Sequence, residues 1–329
     1  MTKTVALLTG GWSAERDVSL MKSPQVEKAL IEAGYDVRVI DVTKDLSKFI
    51  ADLTPKPDVV FNNLYGKGGE DGTIQSVLDV LEIPYTHSGA RASALGMHKP
   101  SAKILANSVG VQTARGEVMT REESSKEERI SRPYVVKPID EGSSVGVQIM
   151  LKGDNVTALH GDGVHADDDV LVEEFIPGRE IHVTVLNGKA QGVTEIIVEG
   201  RFFDYEAKYH DERTSLVTPA DIPEEIALRV MSDAEKVFKV LGCSGLARCD
   251  FRYDESQQGA SGIYFLEINT IPGLAEESIA FIQPKHNGMS FAQLCKHLVE
   301  TASFGDNERV ETDLQKITEP HAQSKNNAT

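Results

Sequence analysis

An α/β fold with a parallel-sheet N-terminal part is predicted by three features of the 329-residue sequence. In the first 90 residues, short apolar runs typical of buried strands alternate with stretches that carry apolar residues at helical spacing. Glycines follow several of these elements, where the chain must turn. After about residue 130, strand patterns joined by turns dominate, which predicts an α+β region. At about 150 residues per domain, the length corresponds to two or three domains.

The individual elements follow from the same periodicities. Predicted strands span 5–8, 37–40 and 58–61, and predicted helices span 24–33 and 73–81. Gly34 stands where the first of these helices should end. Strands separated by helices give a parallel sheet covered on both faces, and ligands bind at the carboxyl ends of its strands.

The second half of the chain has a different pattern. Strands are predicted within 133–149, 170–186, 245–252 and 262–269, and amphipathic helices at 224–241 and 290–302. The Gly- and Asp-rich segment 153–169 is predicted to be a surface helix and loop. Residues 306–329 are polar with almost no large apolar side chains, which predicts a disordered tail.

Composition and charge exclude several classes of protein. With 34 Lys and Arg against 51 Asp and Glu, the formal net charge is −17, which argues against a general nucleic-acid binder because phosphate backbones require a basic face. No apolar run approaches the ~20 residues that span a bilayer, and the N-terminus lacks the apolar stretch of a signal peptide. Cys243, Cys249 and Cys295 have no CxxC spacing, so we expect small buried thiols in a reducing cytoplasm.

Two glycine-rich segments follow predicted strands. In 10–16, GGWSAER, the glycines leave backbone N–H groups free to face a ligand, and Glu15 could hold an amine, although a plain strand-to-helix turn fits equally well. In 66–72, GKGGEDG, four glycines in seven residues indicate a loop that something must approach closely. The alternative is that Asp71 or Thr73 only caps the following helix, which would account for the presence of that residue but not for the four glycines.

Two further segments offer polar groups to a ligand. The Gly/Ser loop 138–146 presents backbone N–H groups and hydroxyls to phosphate oxygens, and Lys137 before it is a suitable counter-charge. A flexible hairpin with a solvated lysine is the alternative. The stretch 204–209, DYEAKY, could anchor a loop at a site or form a strand edge.

The strongest pattern joins Arg248-Cys249-Asp250 with Glu267-Ile268-Asn269, since each triplet ends an apolar strand. If the two strands pair, Asp250, Glu267 and Asn269 form a cluster of oxygen ligands, which suits Mg²⁺ bridging to substrate phosphates. A surface salt-bridge network is the alternative, but these groups would be costly at the ends of buried strands without a cation. Gly273, just after the second strand, could present a backbone N–H to a reacting oxygen.

Together these segments resemble the D-alanine–D-alanine ligases of the ATP-grasp superfamily, from about residue 5 to 302. The resemblance is carried, in order, by GGWSAERDVSL, GKGGEDGTIQ, IPYTHSG, VKPIDEGSSVGV, FDYEAKY, LARCDF and EINTIPG. It implies three domains: an N-terminal α/β substrate domain at 1–98, a central ATP-grasp subdomain at 99–182 and a C-terminal subdomain at 183–305. ATP would lie between the latter two. It also implies that ATP phosphorylates one D-alanine and that the amine of a second attacks the acyl phosphate, as a step of peptidoglycan precursor synthesis.

The resemblance also assigns roles to individual residues. Those matching the ATP site are Lys99, Lys137, Glu173, Phe175, Glu180 and Lys208; those matching ligands of two Mg²⁺ or Mn²⁺ ions are Asp250, Glu267 and Asn269. Arg248 and the Gly273 N–H match the groups that stabilise the tetrahedral intermediate. Glu15, Glu70 and Ser278 match substrate-binding positions. Ser143 and Tyr209 match a pair that links Glu15 to a closing loop at about 202–219. A cytoplasmic homodimer is implied as well.

The sequence departs from the family pattern near the substrate site. Tyr65 replaces a histidine and His98 an aspartate, and Glu276 and Glu277 add two acids beside the pocket for the second substrate. The second substrate could therefore be D-serine, D-lactate or another amino acid. A nucleotide-binding regulatory protein without turnover is a further alternative, against which the retained site residues argue.

Overall fold

Three sheets organise the chain in the computed structural model, which describes residues 2–142, 146–153, 165, 167–198 and 214–305. The first sheet is parallel, with the order β2-β1-β3, and it consists of β1 (Thr4–Gly10), β2 (Asp36–Val42) and β3 (Val59–Asn62). Its helices are α1 (Arg16–Glu32), α2 (Leu46–Asp52), α3 (Thr73–Val80) and α4 (Ala90–Met97). The predicted α/β character with a parallel N-terminal sheet is confirmed.

Helix α1 begins eight residues before the prediction, which placed its start at Pro24 because the apolar spacing is clear only from Val26 onward. The prediction was wrong because the helix accommodates Pro24 in its interior. Hydroxyl groups reinforce the preceding turns, since Ser23 Oγ donates to the Ser19 carbonyl at 2.7 Å and Ser19 Oγ donates to the Asn63 carbonyl at 2.6 Å. The start at Arg16 places Glu15 at the N-terminal end of α1.

The second sheet is antiparallel, with the order β4-β7-β5-β6. Its strands are β4 (Gly116–Thr120), β5 (Tyr134–Pro138), β6 (Gln148–Met150) and β7 (Asp169–Glu174). Helix α5 (Lys99–Ser108) precedes it, and helix α6 (Arg121–Lys126) starts at a capping box formed by Thr120 and Glu123.

The third sheet is antiparallel, with the order β11-β10-β8-β12-β13, and β9 pairs with β8. Its strands are β8 (Arg179–Leu186), β9 (Lys189–Ala190), β10 (Thr194–Val198), β11 (Thr214–Val217), β12 (Leu246–Tyr253) and β13 (Ile263–Asn269). Its helices are α7 (Glu224–Leu241), α8 (Ile279–His286) and α9 (Phe291–Glu300). The expected domain boundary between 182 and 183 falls inside β8.

Strand β13 contains an irregularity next to the predicted metal ligands. Asp250 is paired with Glu267, but Phe251 is paired with Phe265, so Leu266 is an extra residue on β13. Phe251 and Phe265 are both fully buried and pack edge to face, with ring centroids 5.6 Å apart. This β-bulge lets β13 supply both the core and the site.

The hydrophobic cores hold these sheets against their helices. One cluster packs α5 and α7 on the third sheet, and two others cover opposite faces of the first sheet. All three cysteines are free thiols, and burial raises the pKa of Cys243 to about 12. None of the helices in the described residues is long and apolar enough to cross a membrane.

Several sequence expectations fall on residues that the structure does not describe. Ser143, Lys208, Tyr209, the predicted tail at 306–329 and most of the predicted closing loop at 202–219 lie outside the described residues, as does most of the segment 153–169.

Candidate active site

The three predicted metal ligands lie together where β12 and β13 pair. Asp250 faces Glu267 across the two strands, and the Nδ2 of Asn269 donates to Asp250 Oδ2 at 3.2 Å. Within the described ranges, no three His, Cys, Asp or Glu side chains cluster as a metal site, so the amide of Asn269 is needed to complete this set. Two carboxylates and an amide form the all-oxygen donor set that Mg²⁺ prefers.

Asp250 is the most tightly held member of this group. Arg248 grips it with two parallel hydrogen bonds, Nε to Oδ1 at 2.7 Å and NH2 to Oδ2 at 2.8 Å. The Nδ1 of His182, on the neighbouring strand β8, lies 3.1 Å from Asp250 Oδ1. Asp250 and His182 are both buried. The carboxylate therefore has a fixed orientation, and the guanidinium of Arg248 lies beside the candidate metal position.

Lys99 reaches the same place from the start of α5. Its Nζ lies 3.6 Å from Glu267 Oε2 and donates to the Glu141 carbonyl, while its backbone N–H donates to the Ile139 carbonyl at 2.8 Å. These contacts hold the loop that follows β5 above the ends of β12 and β13. A narrow cleft between them is lined by Glu70, Lys99, Gly142, Glu267 and Asn269.

A buried ion triplet lies under the second sheet. Glu173 on β7 pairs with Lys137 through Oε1 and with Lys103 through Oε2, the latter at 2.5 Å. Burial opposes ionisation of Glu173, but the charges of Lys103 and Lys137 outweigh it and lower its pKa. Burial lowers the pKa of Lys103 to about 8. Two lysines around one carboxylate leave a net positive charge under the second sheet.

Sequence reasoning missed Lys103, although a signal was present. It stands four residues after Lys99 on α5, so both ammonium groups lie on one face of that helix. A lysine that repeats at helical spacing on a buried face is a candidate ligand-binding cation.

Phe175 and Glu180 lie on either side of the turn from β7 to β8. The Phe175 N–H donates to the Pro133 carbonyl at 3.2 Å, and the guanidinium carbon of Arg252 lies 5.8 Å from the centre of its ring. Glu180 Oε1 lies 3.1 Å from His182 Nε2, and its Oε2 lies 3.5 Å from Arg252. His182 therefore lies between Glu180 and Asp250, and it is hydrogen-bonded to Glu180 and not to Asp250.

The two glycine-rich loops bring Glu15 and Glu70 together. Glu70 Oε2 accepts a hydrogen bond from the Gly66 N–H at 2.7 Å, and both carboxyls are buried. Burial and the negative charge of Glu15 raise the pKa of Glu70 to about 8. A Cβ on Gly142 would lie only 2.6 Å from Glu15 Oε1, so the loop after β5 closes directly over this pair. The arrangement is suited to an ammonium group, because a cation would relieve the repulsion between the carboxyls.

Gly273 lies in the turn after β13. None of the described residues accepts a hydrogen bond from its N–H. A Cβ at this position would lie 2.9 Å from the Nζ of Lys22, which reaches over from α1. Burial lowers the pKa of Lys22, and the nearby charge of Glu277 partly offsets this. Lys22 was also missed from the sequence, although a lysine four residues after buried Val18 and four before buried Val26 interrupts an apolar helix face.

The segment after Gly273 turns its two acids outward. Glu276 and Glu277 are exposed, and Gln25 of α1 holds the segment by accepting from the Glu276 N–H at 2.9 Å. Ser278 is buried at the start of α8, and its hydroxyl donates to the Ala275 carbonyl at 2.8 Å. The acids therefore do not crowd the pocket beside Gly273.

Comparison with known proteins assigns this arrangement to a family. Residues 105–300 match the model of the D-Ala-D-Ala ligase C-terminus. The chain belongs to the D-alanine–D-alanine ligase family. Curated D-alanine–D-alanine ligases of Acidiphilium cryptum and Rhodospirillum rubrum are 45% and 44% identical to it, each alignment covering 92% of this chain and 99% of the relative.

Solved structures of the family share the ATP-grasp fold with this chain. The D-alanine–D-alanine ligase of Bacillus anthracis in complex with ATP has a TM-score of 0.75 at 27% identity, and the match covers 95% of this chain and 99% of that one. The D-Ala:D-Ser ligase VanG of Enterococcus faecalis also has a TM-score of 0.75 at 27% identity, with 92% and 99% covered.

Proposed function

We propose that this protein joins two D-alanine molecules to D-alanyl-D-alanine at the expense of ATP, through an acyl phosphate, in the synthesis of peptidoglycan precursors. One observation carries the proposal: a single cleft is lined by the buried cation Lys99, by the oxygen ligands Glu267 and Asn269, and by Glu70 of the buried carboxyl pair. The cation and the oxygen ligands are suited to a polyphosphate, and the carboxyl pair to the ammonium group of an amino acid.

The nucleotide would lie between the second and third sheets. Lys99, Lys103 and Lys137 supply positive charge toward the phosphates, and the net charge of the Lys–Glu–Lys triplet supports this role. Glu173, Phe175 and Glu180 would face the adenine and ribose, as the family resemblance implies. We include Lys208 in this site on the resemblance alone.

Mg²⁺, or Mn²⁺, fits the oxygen donors at the third sheet, and Asp250, Glu267 and Asn269 would hold it, with two ions proposed. When bound, the metal would neutralise charge on the phosphates during transfer. The bonds from Arg248 keep the Asp250 carboxylate in place for that task. Lys99, 3.6 Å from Glu267, adds a fixed positive charge at the same point.

The two D-alanines would occupy opposite ends of the cleft. Glu15 and Glu70 would bind the ammonium of the donor, whose carboxylate then points toward the phosphates. Arg248 and the Gly273 N–H would stabilise the oxyanion formed when the acceptor amine attacks. Ser278 would bind the acceptor carboxylate. Ser143 and Tyr209 would connect Glu15 to the closing segment, which would exclude water from the acyl phosphate.

The decisive experiment is a product panel. The purified protein is incubated with ATP, Mg²⁺ and D-alanine, alone or with D-serine or D-lactate, and the products are identified by mass spectrometry. We expect ADP and D-alanyl-D-alanine from D-alanine alone. A product formed only with another acceptor would refute the proposed second substrate, and hydrolysis of ATP without any ligated product would refute the ligase.

Arg248 provides a matched test of the catalytic assignment. We expect Arg248→Ala to lower dipeptide formation by about 10²- to 10³-fold, as expected when an oxyanion donor is removed, while ATP still binds. Arg248→Lys keeps the charge but loses the two-pronged contact with Asp250, so it should recover only part of the rate. Wild-type activity in Arg248→Ala would exclude this role.

We further propose that the protein is a cytoplasmic homodimer. The family resemblance supports both points. Sedimentation of the purified protein should give about twice the 35.9 kDa chain mass. A species at the monomer mass over the whole concentration range would contradict the dimer.

A further inference from the structure

We propose that Tyr65 is a positioning residue that holds the Gly273–Leu274 turn, so that the Gly273 N–H faces the reacting carbonyl. This inference rests on the proposed ligase function. Tyr65 immediately precedes the glycine-rich segment 66–72, and the turn follows β13 of the third sheet. The side chain therefore joins the donor end of the cleft to its oxyanion end.

The Tyr65 hydroxyl makes two hydrogen bonds. It donates to Asn63 Oδ1 at 2.6 Å and accepts from the Leu274 N–H at 3.1 Å. Only 2% of the residue is exposed, and its ring packs with Val18 and Ile271. A buried N–H needs a partner, so the hydroxyl fixes the direction of the Leu274 amide. Because adjacent amides share a turn, this also restrains the direction of the Gly273 N–H.

The hydrogen bonds behind Tyr65 are anchored in α1. Asn63 Nδ2 donates to Ser23 Oγ at 3.0 Å, and Ser23 Oγ in turn bonds Thr9 Oγ1 at 2.6 Å. These residues are all buried. A chain of satisfied bonds in a low-dielectric interior gives Tyr65 a rigid base.

The backbone carbonyl of Tyr65 supports the part of the site where Glu15 would bind the donor D-alanine. This carbonyl accepts from Ser13 Oγ at 2.6 Å, and the same Ser13 oxygen accepts from the Glu15 N–H at 3.1 Å. The carbonyl thus supports the loop that carries Glu15, while the hydroxyl supports the turn that carries Gly273. Tyr65→Phe removes the second link and retains the first, so the two ends of the site can be tested separately.

The test compares the two half-reactions in Tyr65→Phe. Acyl-phosphate formation is measured as scrambling of ¹⁸O from the β,γ-bridge of labelled ATP at low D-alanine, and the second step as dipeptide formation. We expect dipeptide formation to fall at least 10-fold while isotope scrambling changes less than 2-fold. Tyr85→Phe is the matched control, because Tyr85 is equally buried and its hydroxyl donates to Asp79 at 2.9 Å, away from the site. Both of its rates should stay within 2-fold.

Equal losses in both half-reactions, or no loss in either, would overturn the proposal. Hydrogen exchange of the 271–275 amides gives a second readout that does not require turnover, and we expect it to accelerate in Tyr65→Phe and not in Tyr85→Phe. Unchanged exchange would also overturn the proposal. Tyr65→His should show the same pattern as Tyr65→Phe, because the imidazole is too short to reach Leu274. If wild-type protein makes no dipeptide, the ligase proposal fails, and the exchange experiment still decides whether Tyr65 holds the turn.

Discussion

Replacing Glu173 with glutamine tests the buried Lys103–Glu173–Lys137 triplet. Its three side chains are at most 8% exposed, so the substitution leaves two ammonium groups in a desolvated site without their carboxylate. Removing one partner of a buried ion pair costs about 3–5 kcal/mol. We therefore expect Glu173→Gln to destabilise the second sheet by about that amount at pH 7. The matched control is Glu174→Gln, whose side chain is exposed on the same strand.

The pH dependence follows from the pKa of Lys103. In the folded wild-type protein the pKa of Lys103 is about 8, below its value of 10.5 in the unfolded chain. The charge of Glu173 is one of the influences that keep this pKa from falling further. Without Glu173, Lys103 releases its proton below pH 8, where the unfolded chain still holds one, so the variant gains stability throughout the interval from pH 7 to pH 8, whereas wild type gains only a fraction of this as the pH approaches 8. The stability difference should narrow by up to about 1 kcal/mol between pH 7 and pH 8.

The loss of stability in Glu173→Gln can be measured by amide hydrogen exchange in 134–138 and 170–174. This local measurement does not assume that the whole chain unfolds in one step. We also expect ATP to bind more weakly to Glu173→Gln, because the lysines lose their orientation. A loss below 1 kcal/mol, or one equal to that of Glu174→Gln, would refute the reasoning that the triplet is a coupled buried unit.

Three further substitutions probe other parts of the cleft. Gly142→Ala should raise the KM for the donor D-alanine about 10-fold, measured by initial rates, because its Cβ would displace Glu15 Oε1 from 2.6 Å. Glu70→Gln should stabilise the protein increasingly between pH 5 and pH 8 in thermal unfolding, because the folded pKa is raised to about 8 and wild type loses stability over that interval as the unfolded chain ionises. Lys22→Met should raise the KM for the acceptor at least 5-fold, because its ammonium lies beside Gly273.

Each of these has its own control. Gly142→Ala must retain the wild-type melting temperature, since Gly142 is not among the glycines with positive φ and a global loss of stability would indicate damage elsewhere. For Glu70→Gln, a gain that is equal at pH 5 and pH 8 would contradict a raised pKa. Lys28→Met, at an exposed position on the same helix as Lys22, should leave the acceptor KM unchanged. A donor KM that rises with the acceptor KM would contradict the assignment of Lys22.

Much of the candidate site follows from local rules. Asp250, Glu267 and Asn269 could be identified because they are polar residues at the ends of two apolar runs. Antiparallel pairing of the two strands then brings them together. Local rules did not find Lys22 or Lys103. Both are lysines on helices that pack against the sheets, and only that packing shows that the ammonium of Lys22 lies beside Gly273 and that of Lys103 beside Glu173.

Other features depend on contacts distant in the sequence. The early start of α1 was not predicted, because the apolar spacing is clear only from Val26 onward and the helix continues through Pro24 as it packs on the first sheet. The direction of Glu276 and Glu277 depends on Gln25, which lies about 250 residues earlier. No spacing rule can supply such a contact.

The extra residue on β13 decides which face of the strand its neighbours occupy. In a regular strand, Phe265 and Glu267 would point to the same face, and core and cleft could not both be supplied. Because Leu266 changes the phase, Phe265 packs inward and Glu267 still lies opposite Asp250. Deleting Leu266 would place Glu267 directly after Phe265, so a regular ladder could keep both pairings, whereas flattening the bulge with Leu266 retained would turn an acid into the core or remove it from the cleft. What the site requires is therefore that Phe265 and Glu267 face opposite sides of β13, which the bulge achieves in a strand of this length.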